Sequence, residues 1–152
     1  MSSSRTQVPA IEGWFTTPTD GADPVLIGSQ CESCGTYVFP PRAGWCPNPA
    51  CSATELKPVE LSSRGRVWSF TENRYAPPAP FVVAEPFEPY ALAAVEMERE
   101  GLIVLGQVAK GVLAADLKVG MEMKLDLGVL RSDDEHDYLV YTWAPAAAEV
   151  KR

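Results

Sequence analysis

The sequence predicts a mainly β protein in which a short N-terminal helical arm and a small cysteine-rich ribbon precede a five-stranded barrel. Three observations lead to this fold class. All four cysteines fall within 21 residues as two close pairs. Five later segments have the apolar pattern of β-strands, and a short helical pattern lies between the third and the fourth. We expect the arm at residues 1–23, the ribbon at 24–62, the barrel at 63–145 and a disordered tail at 146–152.

The arm is predicted from Ala10–Thr17, a segment that carries Trp14 and Phe15 and ends at a Pro-Thr-Asp-Gly turn signal. We expect a short helix there. Pro24–Gln30 then favours a strand that leads the chain to the first cysteine. Two further segments, Tyr37–Pro40 and Leu56–Ser62, complete the predicted ribbon.

The cysteines Cys31, Cys34, Cys46 and Cys51 have the spacing C-x2-C-x11-C-x4-C. Two short pairs on tight turns can place four sulfurs around one metal ion, so we predict one structural Zn2+ per chain. With four protein ligands, no position is left for a substrate. The alternatives are two disulfides or four ordinary buried thiols. Disulfides suit secreted domains, and no signal peptide precedes this ribbon.

The barrel is predicted from five segments in the second half of the chain. In order, they are Gly65–Tyr75, Tyr90–Arg99, Leu102–Lys110, Met121–Val129 and Asp137–Trp143. Met121–Val129 has the clearest alternation, and Gly106 indicates a bend or bulge in the third strand. A helical turn is expected at Ala114–Leu117. Five strands with a helical element between the third and the fourth follow the order of an OB-fold barrel.

The chain is acidic, with 13 basic and 20 acidic residues and a net charge of -7. This balance argues against nonspecific binding to nucleic acid or to anionic membranes. No apolar run approaches the length of a membrane helix. Reduced cysteines and the absence of an export signal predict a cytoplasmic protein. Only the segment 31–75 has more basic than acidic residues, so an anionic ligand would find several arginines only there.

Several motifs together resemble a known family. They are Cys31-x2-Cys34-Gly35-x3-Phe39-Pro40-Pro41-Arg42, the stretch Pro89–Val95, the strand Gly101–Gly106 and the turn Asp116–Met121. In this order they resemble the zinc-ribbon/OB-fold proteins once catalogued as domain of unknown function 35. The likeness covers about residues 10–145. The second cysteine loop is longer than the common pattern but leaves all four ligands in place. The resemblance implies a rubredoxin-like zinc ribbon followed by the barrel.

Members of that family are typically accessory subunits of acyl-CoA enzymes. They pair with thiolases or with thiolase-like lipid-transfer proteins, as in benzoylsuccinyl-CoA thiolase and steroid side-chain aldolases. The resemblance therefore implies a noncatalytic subunit that is inactive alone, a thiolase-like partner that owns the catalytic residues, and acyl-CoA at or near the interface. From the acidic charge balance we expect no nucleic-acid or membrane partner.

Two other functions compete with this interpretation. One is a nucleic-acid-binding module that would use Trp68, Phe70, Tyr141 and Trp143 as stacking platforms. The acidic balance counts against it. The other is a free-standing acyl-CoA carrier.

Three arginines are candidates for contacts with the phosphates of CoA, because a guanidinium forms paired hydrogen bonds to phosphate. They are Arg64, Arg66 and Arg74, and ordinary surface charge is the alternative. A long proline-rich loop after the first barrel strand is the candidate partner interface. Its residues are Tyr75, Pro77, Pro78, Phe81 and Phe87. The alternative is a loop that caps its own barrel.

His136, the single histidine, lies in an acidic segment before the last strand. A solvated hairpin turn is favoured there over a general base. The sequence thus predicts no catalytic residue.

Overall fold

The computed structural model describes residues 5–18, 22–75 and 88–146. In this part of the chain the strands are β1 Thr6–Pro9, β2 Ile27–Gln30, β3 Tyr37–Val38, β4 Lys57–Glu60, β5 Arg64–Asn73, β6 Tyr90–Met97, β7 Ile103–Val108, β8 Glu122–Ser132 and β9 His136–Pro145, with a 3-10 turn at Ala114–Asp116. None of the helical segments described has the length and apolarity to cross a membrane. The predicted tail lies almost entirely outside the described residues.

Five strands close into a barrel in the order β5-β6-β7-β9-β8, with β8 returning to β5. Every pairing is antiparallel except β7–β9, which is parallel. This is the predicted OB-fold, and the 3-10 turn lies between its third and fourth strands, as expected. Alternate residues fill the interior, and Trp143 on β9 is completely buried there.

Gly106 does not mark the bulge that the sequence predicted. β7 pairs with β6 in regular register through Gly106. The missing side chain instead gives room to two aromatic rings, because a Cβ there would lie 2.8 Å from Tyr141 and 3.1 Å from Trp143. The register shifts occur on β5, between Val67 and Ser69, and on β8.

The predicted N-terminal helical arm is wrong. β1 instead runs parallel to the first half of β9, and Phe15 forms an antiparallel bridge with Leu26. The backbone of the arm finds partners in neighbouring strands, since Ile27 N donates to Trp14 O at 2.8 Å. Gly13 lies at φ +86°, a left-handed conformation that interrupts any helix through this segment. Tertiary pairing therefore overrides the local helical pattern.

The ribbon is a three-stranded antiparallel sheet in the order β3-β2-β4. It shares one core with the barrel, because Phe15 of the arm and Leu26 and Leu61 of the ribbon belong to the same buried cluster as the barrel interior. Phe39 and Tyr141 extend this contact with an edge-to-face pair at 5.9 Å. The three predicted segments thus form one packed body.

A buried carboxylate fixes the connection between ribbon and barrel. Glu100, in the turn between β6 and β7, has a side chain with 0% exposure. Its oxygens accept hydrogen bonds from Ser62 N at 2.7 Å and from Ser62 Oγ at 2.6 Å. Arg99 pairs with the same carboxylate and also donates to the carbonyl of Glu60. The segment that joins β4 to β5 is therefore held against the β6–β7 turn.

Candidate metal centre and exposed surfaces

The four cysteines converge at the end of the ribbon. Cys31 directly follows β2, Cys34 lies in the turn before β3, and Cys46 and Cys51 lie in the connection between β3 and β4. The first turn closes through Gly35, whose N–H donates to Cys31 O at 2.8 Å and whose φ is +81°. Only glycine adopts this conformation readily, which explains its place after the first pair.

The sulfur geometry fits a single tetrahedral metal ion. All four Sγ atoms lie within 4.8 Å of one another, and the pairs Cys31–Cys51 and Cys34–Cys46 are separated by 3.8 Å and 3.5 Å. Zn–S bonds of about 2.3 Å in a tetrahedron place sulfurs about 3.8 Å apart. A disulfide requires about 2.05 Å, so the four thiols are not disulfide-bonded. This geometry argues against both alternatives to a metal site, since the thiols form no disulfide bonds and lie together in one cluster.

The pKa values of the thiols shift in different directions within the cluster. Hydrogen bonds from the Thr36 side chain and backbone lower the pKa of Cys34 to about 6. A backbone hydrogen bond at Asn48 favours the thiolate of Cys46, but burial and the neighbouring thiols outweigh it and raise that pKa to about 11. The Cys34 thiolate thus forms easily, and its negative charge disfavours deprotonation of the neighbouring thiols. A divalent ion at the centre removes this opposition, because it stabilises all four thiolates together.

The three candidate CoA-binding arginines are not brought together. Arg64 and Arg66 both approach Glu122, with N–O distances of 3.6 Å and 4.0 Å. Arg74 lies past the opposite end of β5, about 30 Å along the strand. There its Nε pairs with Glu72 at 2.8 Å. The CoA role of these residues stays a prediction, and it concerns two separate places on the barrel.

A cavity of about 360 Å3 lies beside Arg64 and Arg66. It is also lined by three carboxylates, namely Glu96 on β6, Glu98 directly after β6 and Glu122 on β8. Three carboxylates against two guanidinium groups give this pocket a net negative charge. Sequence reasoning missed the carboxylates, because the register that places β6 and β8 beside β5 is not visible in a single strand.

Most of the predicted partner interface falls outside the described residues, namely Pro77, Pro78, Phe81 and Phe87. Tyr75 is described, and its side chain is 83% exposed at the end of β5. The outer surface of the barrel has further exposed apolar residues outside this predicted protein interface. The largest are Trp68 and Leu105, each 58% exposed.

His136 occupies a hairpin turn that Asp133 organises. The carboxylate of Asp133 accepts the N–H groups of Glu135 and His136 and the hydroxyl of Tyr138. These bonds lower the pKa of Asp133 to about 2. The His136 ring lies on the partly exposed side of this turn, 3.6 Å from Asp133. The geometry agrees with the solvated turn favoured from the sequence.

The predicted stacking platform for nucleic acid does not form. Trp143 is fully buried, and Tyr141 packs edge-to-face on Phe15 and Phe39. Phe70 packs against the core, which leaves Trp68 as the exposed member of the proposed set. One exposed ring on an acidic protein does not make a nucleic-acid groove.

Comparison with known proteins identifies both parts of the fold. Residues 19–57 match the family model described as the rubredoxin-like zinc ribbon domain of ChsH2, and residues 58–127 match that of its C-terminal OB-fold domain. A solved structure, the Ltp2-ChsH2(DUF35) aldolase, aligns with a TM-score of 0.59 and 29% identity, over 80% of this chain and 85% of the other.

Curated relatives show the same relationship. A DUF35 domain-containing scaffold protein of Methanocaldococcus jannaschii is 30% identical over 76% of this chain and 77% of its own length. The benzoylsuccinyl-CoA thiolase subunit BbsA of Geobacter metallireducens is 30% identical over 78% of this chain and 73% of its own length. BbsA of Thauera aromatica is 41% identical over 37% of each chain.

Proposed function

This chain belongs to the ChsH2-type (DUF35) family of zinc-ribbon/OB-fold proteins, and on that premise we propose that it is a noncatalytic accessory subunit of a thiolase-superfamily enzyme acting on a CoA thioester. The observation that carries the proposal is the gathering of all four cysteines into one cluster. A thiolase-type reaction needs a nucleophile for the acyl group and a base to activate it. With all four thiols as ligands of the proposed metal, none is available as a nucleophile, and the single histidine begins β9 beside the Asp133 turn.

The metal we propose is one Zn2+ per chain, held by Cys31, Cys34, Cys46 and Cys51. Four thiolates in a tetrahedron are the donor set of structural zinc sites. Such an ion would hold the long connection between β3 and β4 to the turn after β2. We also propose that the division into arm, ribbon and barrel falls at residues 23/24 and 62/63, although all three share one core.

Reconstitution with the partner tests the function. A tagged chain is used to isolate its partner from the native host, and the partner is identified by mass spectrometry. CoA-thioester cleavage is then measured for the chain alone, for the partner alone and for the complex. We expect no turnover by the chain alone and activity in the complex. Turnover by the single chain would refute the proposal, and saturable acyl-CoA binding without any partner would favour the carrier function.

We further propose that acyl-CoA contacts this subunit at the Arg74 end of β5. Arg74 is exposed, and its partner Glu72 also accepts the N–H of Ala114 through its other oxygen. The guanidinium therefore has donors left for a phosphate, and Tyr75 beside it offers an exposed ring. The Arg64–Arg66 end is less suited to phosphate, because its pocket has net negative charge.

In the complex, Arg74→Ala should raise the KM for a CoA thioester by about 3- to 10-fold, because an exposed charge pair contributes modestly to binding. The KM for the matching pantetheine thioester, which lacks the nucleotide phosphates, should not change. Lys118→Ala removes an exposed charge near Gly120, towards the Arg66 end of β5, and is the control. Equal effects on both thioesters would contradict a phosphate contact.

His136→Ala should leave the activity of the complex within about threefold of wild type. Loss of a general base typically lowers rates by about 10²–10⁴. The pH profile of kcat/KM should also be unchanged, because the imidazole lies in the Asp133 turn. A drop of two orders of magnitude, or loss of one limb of the profile, would assign His136 to the chemistry after all.

A further inference from the structure

The outer side of the sheet β5–β6–β7 carries apolar side chains that the barrel core does not use. We call this surface the outer face. Its members are Trp68, Leu92, Ala94, Ile103 and Leu105. Trp68, Ile103 and Leu105 are among the most exposed large apolar residues described, while Leu92 and Ala94 are half-buried. Contiguous exposed apolar side chains on one sheet face can mark an interaction site.

The strand register makes these residues neighbours. Ala94 on β6 pairs with Leu105 on β7 and with Ser69 on β5. The bulge between Val67 and Ser69 sets Trp68 and Ser69 together opposite Ala94, so Ser69 faces outward beside Trp68, which already alternates outward after the buried Val67. The small side chain of Ala94 forms a low floor between Trp68 and Leu105. A shallow apolar trough therefore crosses three strands.

The acidic pocket continues this trough along the strands. The next outward row is Arg66, Glu96 and Ile103, in register across β5, β6 and β7 and about 7 Å from the Ala94 row. In the described part of the chain, the side chains of Glu96 and Glu98 form neither an ion pair nor a hydrogen bond. The two arginines are already directed at Glu122. The pocket thus offers an excess of carboxylates over guanidinium groups, three against two, at the end of an apolar trough.

We propose that the thiolase-superfamily subunit docks on the outer face and places a Lys or Arg side chain into this pocket. The inference rests on the proposed function and names the site of its partner. Charge complementarity selects the occupant, because one basic side chain balances the net negative charge of the pocket beside Glu96 and Glu98 while an apolar segment covers Trp68 and Leu105. A second copy of this chain is disfavoured, since it brings a net charge of -7 to an acidic pocket. Nucleic acid is repelled for the same reason.

The test uses the partner subunit captured by the wild-type chain and identified as a thiolase-superfamily protein. Its Kd is measured with Trp68→Ala, Leu105→Ser and the double variant Glu96→Lys/Glu98→Lys. Each should weaken binding by about 10-fold or more, because a buried tryptophan and paired charges are typical hot spots. The isosteric variant Glu96→Gln/Glu98→Gln should lower the association rate and its salt dependence. Trp45→Ala and Glu12→Lys, which change an exposed tryptophan and an exposed charge elsewhere, should stay within about twofold.

The outcomes separate this inference from the proposed function. If the wild-type chain captures no thiolase-superfamily subunit, the proposed function fails and this docking site fails with it. If it captures one but the outer-face variants bind within twofold, the function stands and the site is wrong. A changed oligomeric state of isolated Trp68→Ala would assign the face to a second copy. A lowered Tm of the isolated outer-face variants would mean that the chain covers the face itself, which also overturns the proposal.

Discussion

Removal of the metal, or either substitution Cys34→Ser or Cys46→Ser, should unfold the end of the ribbon and lower the Tm by at least about 10 °C. The connection between β3 and β4 has no strand of its own and few buried side chains. Structural zinc contributes on the order of 10 kcal/mol to the folding of small zinc domains. Leu26 and Leu61 also anchor the ribbon to the barrel, so loss of the metal should remove only part of the folding free energy of the ribbon.

Elemental analysis should find one equivalent of zinc in the wild type and much less in either variant. Hydrogen exchange should show lost protection at Cys31 and Cys46, whose amides donate within the ribbon loops, while β6 and β7 stay protected. Ser33→Ala, in the same turn as Cys34, is the matched control and should keep both metal and Tm. A metal-free protein with the wild-type Tm and exchange pattern would disprove a structural metal.

Glu100→Ala should destabilise the isolated chain by about 2–3 kcal/mol, which corresponds to about 4–12 °C in Tm. The substitution leaves Ser62 N–H and the Ser62 hydroxyl without their acceptor. Glu98→Ala, two residues earlier and exposed, is the control and should change the Tm little. Thermal melts at neutral pH measure both. Equal effects at the two positions would mean that Glu100 contributes nothing specific to the junction.

The contribution of Glu100 should also depend on pH. Burial favours its neutral form, but the hydrogen bonds from Ser62 and Arg99 outweigh burial and lower the pKa. A lowered folded-state pKa gives stability that is fully present above the unfolded pKa and is lost as pH falls through the folded value. The Tm difference between wild type and Glu100→Gln should therefore be constant near pH 7 and shrink between about pH 5 and pH 3. Acid-induced loss of the metal lowers the Tm of both proteins, so it cancels in the Tm difference between them. A difference that grows on acidification would contradict the lowered pKa.

The barrel and the thiol cluster could be predicted from the sequence because each depends on short-range patterns. The alternation in Met121–Val129 belongs to one strand and specifies which side is buried without reference to its neighbours. The cysteine spacing likewise encodes two turns and one hairpin, and the four sulfurs meet as that spacing predicts.

Features that depend on long-range register could not be predicted. The arm has a helical pattern around Trp14 and Phe15, yet its backbone bonds go to β2 and β9, which are distant in sequence. The acidic surroundings of Arg64 and Arg66 arise only when β6 and β8 align with β5. Ser69 joins Trp68 on the outward side because of a bulge, and nothing in the local sequence marks one there.

The place of β9 in the sheet has a consequence for how the chain reaches its native state. This last strand pairs with β7, β8 and β1, and it supplies Trp143 to the centre of the core. A ribosome-bound chain therefore cannot close the barrel until β9 has been synthesised, and until then β7 presents an open edge. The β1–β9 pairing joins residue 6 to residue 136, a contact of very high sequence separation. Such topologies fold slowly and expose unpaired strands meanwhile. We expect synthesis and assembly to benefit from chaperones.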